Sequence, residues 1–139
     1  MQLESAIQAV RHCAEQMNVR YQRTVFDEWA IVSVAEGKPR VVHYMGPRAA
    51  EFEQQFGRDV GALREGLRSQ AHAVGDFEFA RQAVGTHFES FMLVGAGLYL
   101  ICNNTWATMD AIAKNPLWIA AQVPFVELSE QFRASPLTV

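Results

Sequence analysis

Cysteine is scarce in this chain. Only Cys13 and Cys102 are present, and neither belongs to a CxxC pair, so neither a disulfide framework nor a cysteine-rich zinc site is written into the sequence. Both read as small buried thiols in a reducing compartment. Charge is lean as well: 19% of the residues are Asp, Glu, Lys or Arg, against an ordinary ~25%. The 12 basic residues are scattered and the net charge is −3, which excludes the basic face that nucleic acid requires. The most apolar run, FMLVGAGLYLIC at 91–102, is too short and too broken by glycine to cross a bilayer. MQLESAIQAVRH has no basic segment leading into an apolar one, so no secretory signal is expected. Among His12, His43, His72 and His87 no pair has the HxxxH or HExxH spacing that puts two ligands on one helix face. These absences lead us to expect a soluble cytoplasmic protein with no cofactor, no metal and no membrane insertion.

What is there is apolar. Half of the 139 residues are hydrophobic and 11% are aromatic, enough for a core in one domain spanning 1–139. With so little charge to cover its surface, the chain is expected to associate. Leu3, Ile7, Val10, Ala14 and Met17 form one stripe of a leading helix that Asn18 can end. WAIVSV at 29–34 and RVVHYM at 40–45 flank the turn residues Glu36-Gly37-Lys38-Pro39 and predict a hairpin. In the return strand Val41, His43 and Met45 should share one face, and Val42 and Tyr44 the other. After Gly46-Pro47, the residues Phe52, Phe56, Val60, Leu63 and Leu67 predict one middle helix, weakened by Gly57, Gly61 and Gly66. A loop at His72–Asp76 precedes three strands at 77–83, 88–95 and 98–104, joined by short links and therefore antiparallel. Thr105 can cap a helix with Trp106, Met109 and Ile112 on one side. Asn115-Pro116 interrupts it before a closing segment, 117–133. The sum is an α+β domain: a five-stranded antiparallel sheet with flanking helices, in the order α-β-β-α-β-β-β-α.

In the closing segment Leu117, Ala121, Pro124, Phe125, Leu128 and Phe132 share a face. Pro124 removes the bond to the Ala120 carbonyl, at about 3 kcal/mol in a regular helix interior. Val123 would be a poor cap for a second helix, so we expect the helix to kink and continue. The kink serves core packing, or it turns the freed Ala120 carbonyl and the Trp118 ring towards a partner.

Candidate chemistry is thin. His43 and Cys102 would resemble a Cys–His nucleophile pair if their strands brought them together; otherwise they are a core histidine and a buried thiol. Asp27 and Glu28 are an acid/base pair or a solvated loop, and neighbours on a strand point to opposite faces. Gly95-Ala96-Gly97 lies between two strands and reads as a hairpin turn, not a phosphate cradle. Glu127, Glu130 and Arg133 form an outer helix face, solvated or in contact with a partner. No set supplies nucleophile, base and oxyanion stabiliser together, so no enzyme is expected.

The leading helix MQLESAIQAVRHCAEQM, the hairpin WAIVSVAEGKPRVVHYM and the later hairpin FESFMLVGAGLYLICNN together resemble the Roadblock / dynein light-chain family. The resemblance implies a profilin-like fold and a homodimer pairing through edge strands and middle helices. It also implies a regulatory or scaffolding role towards Ras-like small GTPases. On this reading Phe52, Phe56, Val60, Leu63 and Leu67 form the dimer interface. The alternative is a small-molecule sensing domain with an apolar pocket between sheet and helices. In that case Trp29, Tyr44, Phe91, Trp118 and Phe125 line a ligand or partner surface instead of simply filling the core.

Overall fold

The computed structural model describes residues 1–24, 26–35, 38–63, 78–84, 87–94, 98–103 and 115–137, with backbone alone for the strands between 78 and 103. Helix α1 spans Leu3–Tyr21. It contains no Gly or Pro and is rich in Ala, Gln, Glu and Arg, all strong helix formers. It ends at Gln22, whose left-handed backbone (φ 64°) returns its N–H to the carbonyls of Asn18 and Val19. The buried stripe is Ala6, Val10, Cys13, Met17 and Tyr21, one step round from the expected one; Leu3, Ile7 and Ala14 flank it, partly buried. Asn18 does not end the helix. Its Oδ1 accepts the Phe26 N–H at 2.9 Å and guides the chain into the first strand.

Strands β1 (Glu28–Ala35) and β2 (Lys38–Met45) form the expected antiparallel hairpin. The ladder slips once. Ile31 faces His43 and Val32 faces Val41, so Val42 is an extra residue, a β-bulge. The bulge corrects the expected alternation. Val41 and Tyr44 lie together in one buried cluster, while Val42 and Met45 pack against the other. An arginine holds the bulge: Arg58 Nη1 donates to the carbonyls of Val42 at 2.7 Å and Val41 at 3.3 Å.

Helix α2 covers Ala49–Phe56 only. Gly57 stops it with φ 59° and ψ −133°, a conformation suited to glycine. Asp59 then bridges to Arg40 of β2, and helical backbone resumes at 60–63. The expected single middle helix is therefore two pieces around a turn. The closing helix α3 runs unbroken over Leu117–Ala134, with Asn115 receiving the Leu117 N–H on its side chain and the Trp118 N–H on its carbonyl.

These findings correct the expected profilin-like scheme of a five-stranded antiparallel sheet with flanking helices in the order α-β-β-α-β-β-β-α. Among the described residues the helical backbone lies in four segments: α1, α2, 60–63 and α3. The sheet on which their side chains pack is the two-stranded antiparallel pair β1–β2. The architecture is mixed α+β. Backbone pairing extends from β1 to β5 (Leu98–Asn103), then β4 (His87–Val94) and β3 (Glu78–Val84). Leu67, the loop at His72–Asp76, the links at 85–86 and 95–97 and the helix expected from Thr105 lie outside the described residues.

Two clusters occupy the two faces of β1–β2. On one face α1 and α3 bury Val10, Met17, Phe26, Trp29, Ile31, Trp118, Phe125 and Phe132. On the other, α2 and 60–63 bury Ala30, Val32, Val41, Tyr44, Phe52, Val60 and Leu63. Helices α1 and α3 run antiparallel: the Met1 amine reaches the Pro136 carbonyl at 2.7 Å and Arg20 reaches Ala120 at the other end.

Pro124 sits inside α3 and is itself buried, as the expectation of a continuing helix required. The Ala120 carbonyl, which loses its helical donor there, receives Arg20 Nη1 of α1 at 3.4 Å. At that length the contact offsets only part of the lost bond. Replacing Pro124 by Ala restores an N–H donor but removes two buried methylene groups, about 0.8 kcal/mol each. Set against about 3 kcal/mol for an interior proline, the exchange favours alanine. Pro124→Ala is expected to raise the melting temperature by roughly 2–5 °C in a thermal unfolding scan; a lower value would mean that the packing of the proline ring outweighs the restored hydrogen bond.

Candidate functional site

The middle-helix residues expected at a dimer interface have definite places. Phe52, Val60 and Leu63 are buried in the chain's own core, against β1 and β2. Phe56 is half-buried and packs on the same cluster. Tyr44, Phe52 and Phe56 stack in series at 6.4 and 6.1 Å, with the Arg48 guanidinium 5.0 Å from the Phe52 ring centre.

The five aromatic residues expected to line one surface are not brought together. Trp29, Trp118 and Phe125 belong to the α1–α3 face, and Tyr44 to the opposite face. Phe91 lies on β4, with its side chain outside the described residues. Phe26 stacks on Trp118 at 5.7 Å and meets Tyr21 edge-on at 5.5 Å, while Trp29 lies 5.9 Å from Phe125. The Trp29 indole N–H donates to the Phe26 carbonyl at 3.0 Å, so its polar end is satisfied inside the core. Trp118 and Phe125 fill the interior, while Trp29 and Tyr44 also line a cavity beside Asp27.

The Asp27–Glu28 pair is the feature that sequence reasoning undervalued. Glu28 is 1% exposed, so it is no part of a solvated loop. It opens β1 and points to the α2 side, where its Oε1 accepts the N–H of Arg48, the cap residue of α2, at 2.9 Å. A carboxylate at that position also suits the positive end of the helix. Its Oε2 is buried without a hydrogen-bond partner, as is Oδ1 of Asp27. Gly46 makes room for this arrangement. Its φ is +118°, and a Cβ there would collide with the Asp27 carbonyl and with Glu28 Oε2. Burial pushes the Glu28 carboxyl up to about 7, against the lowering effect of the Arg48 N–H. Burial also raises Asp27 above the ordinary carboxylate range.

Beside this pair lies a cavity of about 450 Å³ between α1, the lead into β1 and the end of β2. Arg11, Glu15 and Asn18 come from α1, Asp27 from the lead, and His43 and Gly46 from β2. The only sequence signals for it are the two adjacent acids and a glycine before a proline, neither specific.

The Cys–His pair does not assemble. β1 lies between the strands that carry His43 and Cys102. His43 is level with Ile31, whereas Cys102 lies one residue beyond the partner of Glu28. The offset is about 13 Å along the strands, in addition to two inter-strand spacings. Cys13 is buried, and burial together with the Glu127 carboxylate pushes its thiol up to about 12, so it is an inert core thiol. Among the described residues no helix is long and apolar enough to cross a membrane, and no group of His, Cys, Asp and Glu is placed to hold a metal ion. No family model, curated protein or solved structure matches the chain.

The buried acid makes stability depend on pH in a defined direction. Folded Glu28 keeps its proton up to about 7, whereas its ordinary value is 4.5. Its contribution is therefore greatest below 4.5, declines as the pH rises to about 7 and is level above that. Asp27 adds to the decline from a lower starting point. Glu28→Gln keeps an oxygen for the Arg48 N–H and removes the charge. Urea midpoints of the two proteins should diverge in favour of the variant between pH 5 and pH 8; parallel profiles would show that Glu28 is not buried as a carboxylate.

Proposed function

We propose that the chain is a non-enzymatic regulatory interaction module of the cytoplasm. In this reading it acts as a homodimer and binds a regulatory protein, with a Ras-like small GTPase as the partner class suggested by the Roadblock resemblance of its leading helix and its two hairpin stretches. The observation that carries the reading is an apolar stripe facing water. Ile119, Val123 and Val126 fall at i, i+4 and i+7 on the outer side of α3 and are 75, 40 and 37% exposed. Val19 near the end of α1 is 69% exposed. Arg20 and Ala120, the neighbours of Val19 and Ile119, touch across the two helices. A helix buried on one side seldom carries three large aliphatic residues on the other, and such a stripe is the form in which helices enter grooves or pair. Phe56, half-buried on α2, adds a second surface on the opposite face.

The cavity beside Asp27 favours a second reading, small-molecule sensing. Its volume falls within the range of about 300–1,000 Å³ common for ligand sites. Trp29 and Tyr44 of the expected set line it, together with the polar Arg11, Glu15, Asn18, Asp27 and His43.

Light scattering on the eluting protein tests the first reading. The expected result is a dimer that Ile119→Glu and Val123→Glu convert to monomer, with melting temperature and circular dichroism unchanged, since both residues are exposed. A wild-type monomer at every concentration would sink the homodimer. A dimer that survives both substitutions would sink the α3 stripe as its interface.

A further inference from the structure

We propose that two copies of the chain pair through their α3 helices in an antiparallel arrangement, with Arg20 of each copy meeting Glu130 of the other. The proposal deepens the homodimer reading and rests on it.

The stripe on α3 does not end at Val126. Its alternating spacing continues to Glu130, so that Ile119, Val123, Val126 and Glu130 form one exposed row on the side away from the core. The row has a polarity. Its Ile119 end is basic, because Arg20 Nη1 of α1 lies 3.4 Å from the carbonyl of Ala120, the residue after Ile119. Its other end is acidic, with Glu127 and Glu130 both exposed. Arg133 stands one turn further on, past the apolar residues. Among the described residues, neither Arg20 nor Glu130 is held in an ion pair of its own chain. Both charges are therefore available to a second copy.

Two identical rows can close into a symmetric dimer in two ways. In a parallel pair every residue meets its own copy, and Glu130 would oppose Glu130. In an antiparallel pair the two-fold axis passes between Val123 and Val126, and Val123 of each copy lies on Val126 of the other. The sequence suits this second arrangement, because Ile119 precedes Val123 by the same interval as Glu130 follows Val126. Ile119 then comes level with Glu130 of the other copy, and the acidic end of each row is carried over the basic end of its mate. The contact occurs twice in each dimer. Apolar residues fill the middle and charges stand at the rim, where they decide orientation and partner.

The test is analytical ultracentrifugation of the full chain with a charge reversed at each position, both of them exposed. Arg20→Glu alone and Glu130→Arg alone put like charges at both rims. Each is expected to raise the dissociation constant of the dimer at least about tenfold, since two exposed pairs are reversed together. An equimolar mixture of the two variants is expected to recover the wild-type affinity, because a dimer of one copy of each has opposite charges at both rims. Only a contact between copies gives that recovery. Should Arg20→Glu fail to fold, Arg20→Gln, which keeps a donor for the Ala120 carbonyl, is expected to weaken the dimer and to remove most of its sensitivity to NaCl. Variants that dimerise as tightly as the wild type, or a mixture no tighter than its components, would overturn the antiparallel pairing; the α3 stripe would stand as long as Ile119→Glu still gives monomer. A wild type that stays monomeric at every concentration would overturn both and assign the stripe to a different protein.

Discussion

Burial of one aromatic row holds the rest of the molecule in place. Tyr21 at the end of α1 meets Phe26, which stacks on Trp118 of α3; Trp29 of β1 meets Phe125 of α3, and its indole N–H, donated to the Phe26 carbonyl, ties the two groups into one row. Each contributes about 1.5–3 kcal/mol by leaving water. Because the row joins both helices to the first strand, it fixes the antiparallel packing of α1 and α3 and the direction in which β1 departs. Asn18 and the indole of Trp29 satisfy the backbone polar groups of the connecting segment, so that the turn from helix to strand can be buried.

The opposite face depends on a different kind of contact. There a short helix, too short to be stable alone, is fastened by one carboxylate from β1. Glu28 gives α2 its first hydrogen bond at the cost of burying an acid, and Gly46 gives up its side chain so that the acid can pass. The price of the attachment is a titrating group inside the protein. The two faces meet at the rim where Asp27 and Gly46 stand beside the cavity.

Much of this was legible in the sequence, and the gaps have physical causes. The hairpin, the leading helix and the unbroken helix through Pro124 follow from periodicity and turn chemistry. The buried stripe of α1 was displaced because Ala6 and Cys13 are small enough to sit beneath α3, while Leu3 and Ile7 remain at its margin. Small residues at a close helix–helix contact carry little hydrophobic signal. The middle helix was overextended because Phe52, Phe56, Val60 and Leu63 keep helical spacing across Gly57, although the backbone turns there. The bulge at Val42 escaped because no local pattern marks an extra residue; it comes from Arg58, 16 residues away. Glu28 was missed for a related reason. Acids are rarely buried, and the donor that receives this one lies 20 residues further on.

The turn at Gly57 also shapes what the chain can build with its own kind. The Val41 N–H donates to the Arg58 carbonyl, the Val41 and Val42 carbonyls accept the Arg58 side chain, and Arg40 bridges to Asp59. The outer border of β2 is thereby closed over residues 40–42 with the chain's own atoms. A strand blocked at its middle offers no continuous ladder for the addition of another strand, the step by which exposed borders grow into fibres. Association on this side of the molecule must therefore be made through side chains and not by extending the sheet past that stretch.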